Sequence, residues 1–107
     1  MDNFETTLIL SPDLSNEKLK LELKNFEENI KKNDGDIIAQ EDWGLRDLSY
    51  KIKNAKKAFY MFYQIKFNGS KIQDLKKIVS QNEKILRYLF IKVTNHDELP
   101  TKLHKSE

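Results

Sequence analysis

The sequence predicts an α+β fold of element order βαββαβ, a four-stranded antiparallel sheet with two helices on one face. Three observations predict it. Two segments carry an apolar stripe at helical spacing. Four segments have the β-branched and aromatic content or the period-two alternation of strands. Turn and cap residues separate the six.

The first strand is Asn3 to Leu10 (NFETTLIL), closed by Ser11-Pro12. Ser15 is an N-cap with Glu17 in the first turn, where its charge favours the helix dipole. Leu19, Leu23, Phe26 and Ile30 then form one stripe on a helix over 15–32, with Gly35 expected as the left-handed cap after Asn33-Asp34. Asp36 to Ile52 reads as extended, because Leu48, Tyr50 and Ile52 alternate with Asp47, Ser49 and Lys51, and Gly44 marks a bulge. Residues 53–57 form a hairpin connection. In the third strand, Ala58 to Phe67, Phe59, Met61, Tyr63, Ile65 and Phe67 make one face, and Tyr60, Phe62, Gln64 and Lys66 the other. Asn68-Gly69-Ser70 turns into a second helix marked by Ile72, Leu75, Ile78 and Val79, and Ile85 to Val93 is the last strand. This is the split βαβ, or ferredoxin-like, arrangement, with the second and fourth strands at the sheet edges. The 107 residues suffice for one domain, 1–93, followed by a flexible polar tail, 94–107.

Composition narrows the function classes. No apolar run approaches the ~18–20 residues that cross a bilayer, so no membrane role is expected. The start lacks the basic and apolar stretches of a secretory signal, and the expected compartment is the cytoplasm. Without cysteine there is no thiol nucleophile, disulfide or thiolate metal site. The two histidines, His96 and His104, fall in the expected tail, where neither catalysis nor a metal site is expected. No Gly-rich phosphate loop is present, so no enzyme activity, cofactor or small-molecule substrate is expected.

Charge is informative through its distribution. Residues 1–50 carry a net charge of −6 and residues 51–107 a net charge of +8, a split that points to a polyanion partner for the second half. Lys51, Lys53, Lys56 and Lys57 cluster at the hairpin connection, where they can neutralise phosphates. On the second strand, Glu41, Asp42, Arg46 and Asp47 surround Trp43, Gly44 and Leu45. Charges on an open edge discourage random strand pairing, and they also select a chosen partner. Tyr60 and Phe62 on the open sheet face suit either a protein contact or base stacking. With 17 lysines present, the two arginines, Arg46 and Arg87, point to planar recognition that lysine does not supply.

These segments resemble the bacterial ribosomal proteins of the sixth small-subunit family. The run Trp43-Gly44-Leu45-Arg46-Asp47-Leu48-Ser49-Tyr50-Lys51-Ile52 is similar to the family's WG-x-R-x-LAY-x-I signature. Phe4-Glu5 before an apolar strand, Pro12, Leu14, Lys56 to Tyr60, and Ile85-Leu86-Arg87-Tyr88 extend the resemblance over residues 3–93. Ser49 departs from the usual Ala, and Ser80, Asn82 and Leu86 stand where other members are more basic, which leaves RNA contacts here to Arg87 and nearby lysines. The resemblance implies a structural protein, a monomer when free, that binds the central domain of 16S ribosomal RNA together with the eighteenth small-subunit protein. The implied RNA surface is Lys51, Lys53, Lys56, Lys57 and Arg87. The implied partner surface is Glu41, Asp42, Trp43, Arg46, Tyr60 and Phe62. Two alternatives stand beside it: a free-standing RNA-recognition module stacking single-stranded bases on Tyr60 and Phe62, and an oligomeric interaction module that touches no RNA.

Overall fold

A computed structural model describes residues 1–96. The elements run β1 (Asp2–Leu10), α1 (Asn16–Lys32), β2 (Asp36–Ile52), β3 (Ala55–Phe67), a 3-10 turn (Gly69–Lys71), α2 (Ile72–Ser80) and β4 (Ile85–Val93). All neighbouring strands are antiparallel, in the order β2-β3-β1-β4, so β2 and β4 form the edges as expected. No helix among the described residues is long and apolar enough to cross a membrane.

Alternation sorts the two sheet faces. Phe4, Leu8 and Leu10 of β1 and Met61, Tyr63, Ile65 and Phe67 of β3 pack against Phe26 and Ile30 of α1 and Ile72, Leu75 and Val79 of α2. Tyr88 and Phe90 of β4 join them from the edge. Both helices therefore cover one face. Within α2 the stripe is narrower than its apolar residues predict, since Ile78 is exposed. On the opposite face, β1 contributes Glu5, Thr7 and Ile9, paired with Gln64, Phe62 and Tyr60 of β3.

The caps of α1 follow side-chain chemistry with one correction. Ser15 Oγ accepts the Lys18 N–H at 3.2 Å, satisfying one of the helix's orphan donors. At the other end, Asp34 rather than Gly35 takes the left-handed conformation, with φ 64°. Gly35 N donates to Ile30 O at 2.9 Å and Asp34 N to Lys31 O at 3.1 Å, the paired bonds of a Schellman ending. Gly35 is needed for space instead, because a Cβ there would sit 2.7 Å from Phe67 Cδ1 and 2.9 Å from Ile30 Cγ2. Ahead of α2, Asn68 Oδ1 accepts the Ser70 N–H at 2.9 Å and caps the 3-10 turn, while α2 itself starts after Lys71 with no side-chain cap bond.

The hairpin connection is also shorter than the lysine-rich stretch 53–57 predicts. Lys53 and Asn54, with φ 49° and 68°, make a two-residue turn of the type that matches strand twist. β3 begins at Ala55, opposite Ile52, so Lys56 and Lys57 belong to the strand.

The first residues after β4 stay with the sheet. Asn3 Nδ2 donates to Thr94 O at 3.0 Å, and His96 Nε2 lies 3.1 Å from Ile65 O, with Nδ1 3.9 Å from Glu5 Oε2. His96 is thus packed on the open face rather than carried in a flexible tail. His104 and the rest of the expected tail lie outside the described residues.

Two tests follow from this packing. Gly35→Ala forces Phe67 and Ile30 to shift and is expected to cost about 1–3 kcal/mol, read as a lower urea midpoint with unchanged slope. The second test concerns Tyr63, whose hydroxyl donates to Glu27 Oε2 at 2.9 Å. Burial, then the hydrogen bond to Glu27, then the Glu27 and Asp42 charges hold its phenol well above the ordinary tyrosine range. Below about pH 10 folded and unfolded chains both keep this proton, and Tyr63 adds no pH dependence. Above it the unfolded chain ionises first, so stability falls by up to about 1.4 kcal/mol per pH unit. In Tyr63→Phe the fall in unfolding free energy from pH 10 to 11.5 should be shallower by one proton. An identical slope in both proteins would show that Tyr63 does not carry it.

Candidate nucleic-acid and partner surfaces

The β2–β3 ribbon carries the first surface. Lys51, Lys53, Lys56 and Lys57 are all exposed on it, on both sides of the Lys53-Asn54 turn. Lys57 Nζ lies 3.9 Å from Asp47 Oδ1, and both side chains are mostly in solvent, so salt screens the pair. A cleft of about 530 Å³ separates the ribbon from the loop after β1, with Lys53, Lys56 and Lys57 on one wall and Ser11, Pro12 and Asp13 on the other. A lysine-walled cleft open to water can take phosphates without desolvating any charge deeply.

Arg87 reaches the ribbon by a different route from the lysines. It projects from β4 on the open face, and its Nη1 donates to Tyr50 Oη at 2.8 Å. The sequence gives no local signal for this contact, since the two residues are 37 positions apart and on opposite edge strands.

The second surface begins at the bulge in β2. Asp42 pairs with Met61 and Gly44 with Tyr60, which leaves Trp43 as the extra residue. Gly44 has φ 72°, and its N–H is accepted by Asp42 Oδ1 at 2.8 Å. The left-handed turn directs Trp43 over the open face, where its ring stacks on Phe62 (5.6 Å between centroids, 9° between planes) and Tyr60 (6.2 Å, 15°). The Arg46 guanidinium sits 5.4 Å from the Trp43 ring centroid, and its Nε donates to Trp43 O at 3.1 Å. Trp43 and Phe62 are 7% and 6% exposed, so they shape the surface from beneath rather than present it. Tyr60 keeps part of its area accessible, Glu41 and Arg46 are half-buried, and Asp42 and Asp47 are exposed.

Beside this stack the open face forms a concavity of about 440 Å³, lined by Ile9, Tyr60, Trp43, Arg87 and Leu89 among others. Leu89, and Ile91 two residues further along the same face of β4, are exposed large apolar side chains, a clustering that marks interaction surfaces. Base stacking on Phe62, which the single-stranded RNA alternative needs, meets a ring already covered by Trp43. Among the described residues no group of three His, Asp or Glu side chains is placed to hold a metal ion.

Comparison with known proteins agrees with this architecture. Residues 3–92 match the family described as Ribosomal protein S6. A small ribosomal subunit protein bS6 from Christiangramia forsetii is 38% identical over 96 residues, 90% of this chain and 86% of that one. Its counterpart from Rickettsia felis is 34% identical over 107 residues, 100% of this chain and 88% of that one. The crystal structure of 30S ribosomal protein S6 from Thermotoga maritima superposes with a TM-score of 0.82, covering 86% of this chain and 87% of that one. At 20% sequence identity it speaks to the fold alone.

The bulge yields a direct test. A Cβ on Gly44 would meet nothing within 4 Å, so Gly44→Ala probes backbone conformation without a clash. The left-handed conformation should cost about 1–2 kcal/mol, and quenching of Trp43 fluorescence by acrylamide should increase as the stack loosens. A variant with wild-type stability and quenching would mean the bulge does not hold the indole.

Proposed function

The chain belongs to the ribosomal protein S6 family, and from that premise we propose that it binds the central domain of 16S ribosomal RNA cooperatively with the eighteenth small-subunit protein. Membership makes it a structural, non-enzymatic component of the small ribosomal subunit. The finer reading is carried by one observation, the separation of charge on a single long β2–β3 ribbon. Its tip carries Lys51, Lys53, Lys56 and Lys57, with Asp47 opposite Lys57, whereas the edge nearer the body carries Glu41 and Asp42.

RNA meets the tip. Each lysine that approaches a phosphate releases a condensed counterion, which gives affinity that falls steeply with salt. The protein partner meets the β2 edge and the adjoining open face. Glu41, Asp42 and Arg46 supply charge selection there, and Tyr60 beside Ile9 and Leu89 supplies apolar area. Trp43 and Phe62 act as the floor of that surface, because their rings are spent on each other. Arg87 lies between the two surfaces.

Reversing charge at Lys56 and Lys57 tests the assignment. The double variant Lys56→Glu, Lys57→Glu should weaken binding to a central-domain RNA fragment and flatten the slope of log K against log salt by about 1–2 units. Binding of the eighteenth protein in the absence of RNA should be unchanged. If affinity and slope both stay at wild-type values, the RNA surface lies elsewhere.

A further inference from the structure

β2 and β4 lie at opposite edges of the sheet, with β3 and β1 between them, yet Tyr50 of β2 and Arg87 of β4 are hydrogen-bonded at 2.8 Å. That contact requires the far half of β2 to cross the open face. The backbone provides for it: β2–β3 register shifts at Gly44 and again between Asp47 and Ile52, and such irregularities raise local twist. Pairing of β3 with β1 ends at Phe59, opposite Leu10, so beyond that point the ribbon is two strands wide. A two-stranded ribbon is marginal by itself in water, and the lysine-walled cleft beneath this one leaves it room to swing.

Arg87 therefore faces two ways. Toward the body it lines the concavity with Ile9, Tyr60 and Leu89. Toward the ribbon it holds Tyr50, one residue before Lys51 in the basic tip. We propose that Tyr50 and Arg87 are positioning residues that couple the two surfaces, so that a protein partner seated in the concavity fixes Arg87 and, through Tyr50, orders the lysine tip for RNA. The inference rests on the function proposed above and adds to it the physical link that makes binding cooperative. An RNA arriving second meets a tip already ordered, so it loses less conformational freedom on binding, and by linkage RNA strengthens partner binding by the same factor.

Tyr50→Phe is the test, because it removes one hydroxyl from a residue that is 63% exposed and leaves the ring in place. The affinity of a 16S central-domain RNA fragment is measured with and without saturating eighteenth small-subunit protein, and the ratio of the two is the coupling factor. In Tyr50→Phe that factor should fall about three- to tenfold, the worth of one exposed hydrogen bond, while RNA alone and partner alone bind within about twofold of wild type. With the eighteenth small-subunit protein bound, amide exchange of residues 51–58 should slow in the wild type and stay quick in Tyr50→Phe, with the rest of the sheet unchanged. In an Arg87→Lys background the same hydroxyl deletion should have no further effect on coupling. A wild-type coupling factor in Tyr50→Phe, with wild-type exchange at the tip, overturns the link and leaves the proposed function standing. Absence of RNA binding by the wild-type chain under both conditions overturns that function, and the link with it.

Discussion

Between Met61 and Ile65, β3 is buried on both sides, although helices cover one face of the sheet. This is the constraint on which the rest of the structure depends. Met61, Tyr63 and Ile65 are covered by α1 and α2, as their alternation requires. Phe62 and Gln64 point the other way and are still 6% and 3% exposed. The chain covers them with its own side chains: Trp43 lies on Phe62, and Glu5 Oε2 accepts the Gln64 Nε2–H at 3.3 Å. Burying one large aromatic contributes about 1.5–3 kcal/mol, enough to retain a bulge that aims the indole.

The same device shapes both surfaces. A strand bulged at Gly44 twists more strongly than a regular one, and β2 continues over the open face instead of alongside it. The curl builds a concavity on one side and lifts the Lys53-Asn54 turn away from the core on the other. The lysines at that turn are therefore attached to a part of the ribbon that is only two strands wide. Charge can accumulate there without repulsion acting on the core, which is centred on the helix side of β1 and β3.

Much of this was legible in the sequence, because period-two and 3.6-residue patterns report directly which face a residue buries. The apolar alternation of β3, the stripe of α1, the Ser15 cap and the bulge at Gly44 each needed a window of a few residues. What stayed hidden was set by geometry beyond such a window. Asp34 and Gly35 both permit a left-handed residue, and which one takes it is decided by the approach of Phe67, 32 residues later. The Tyr50–Arg87 bond depends on the summed twist of four strands. Likewise, His96 sits in a stretch whose polar composition reads as tail, and the Ile65 carbonyl that receives it is invisible to composition. Trp43 was legible as a residue of the partner edge, but its burial was not, since stacking on two β3 rings requires the bulge to exist first.

The chain's use of arginine fits the same logic. Among the described residues nearly all lysines are exposed, where a flexible hydrated ammonium suits a phosphate as a point charge. The two arginines both make side-chain contacts within the fold. Arg46 places its guanidinium by the Trp43 ring while Nε bonds the Trp43 carbonyl, and an ammonium has no planar face with which to do both. Arg87 gives one nitrogen to Tyr50, and its side chain also lines the concavity. Arginine in this protein thus makes contacts within the fold, at the Trp43 stack and between ribbon and sheet, whereas the described lysines mostly face solvent. A lysine at position 87 would preserve net charge and lose the ability to hold two directions at once, which is why charge alone does not identify the residue that ties the ribbon to the sheet.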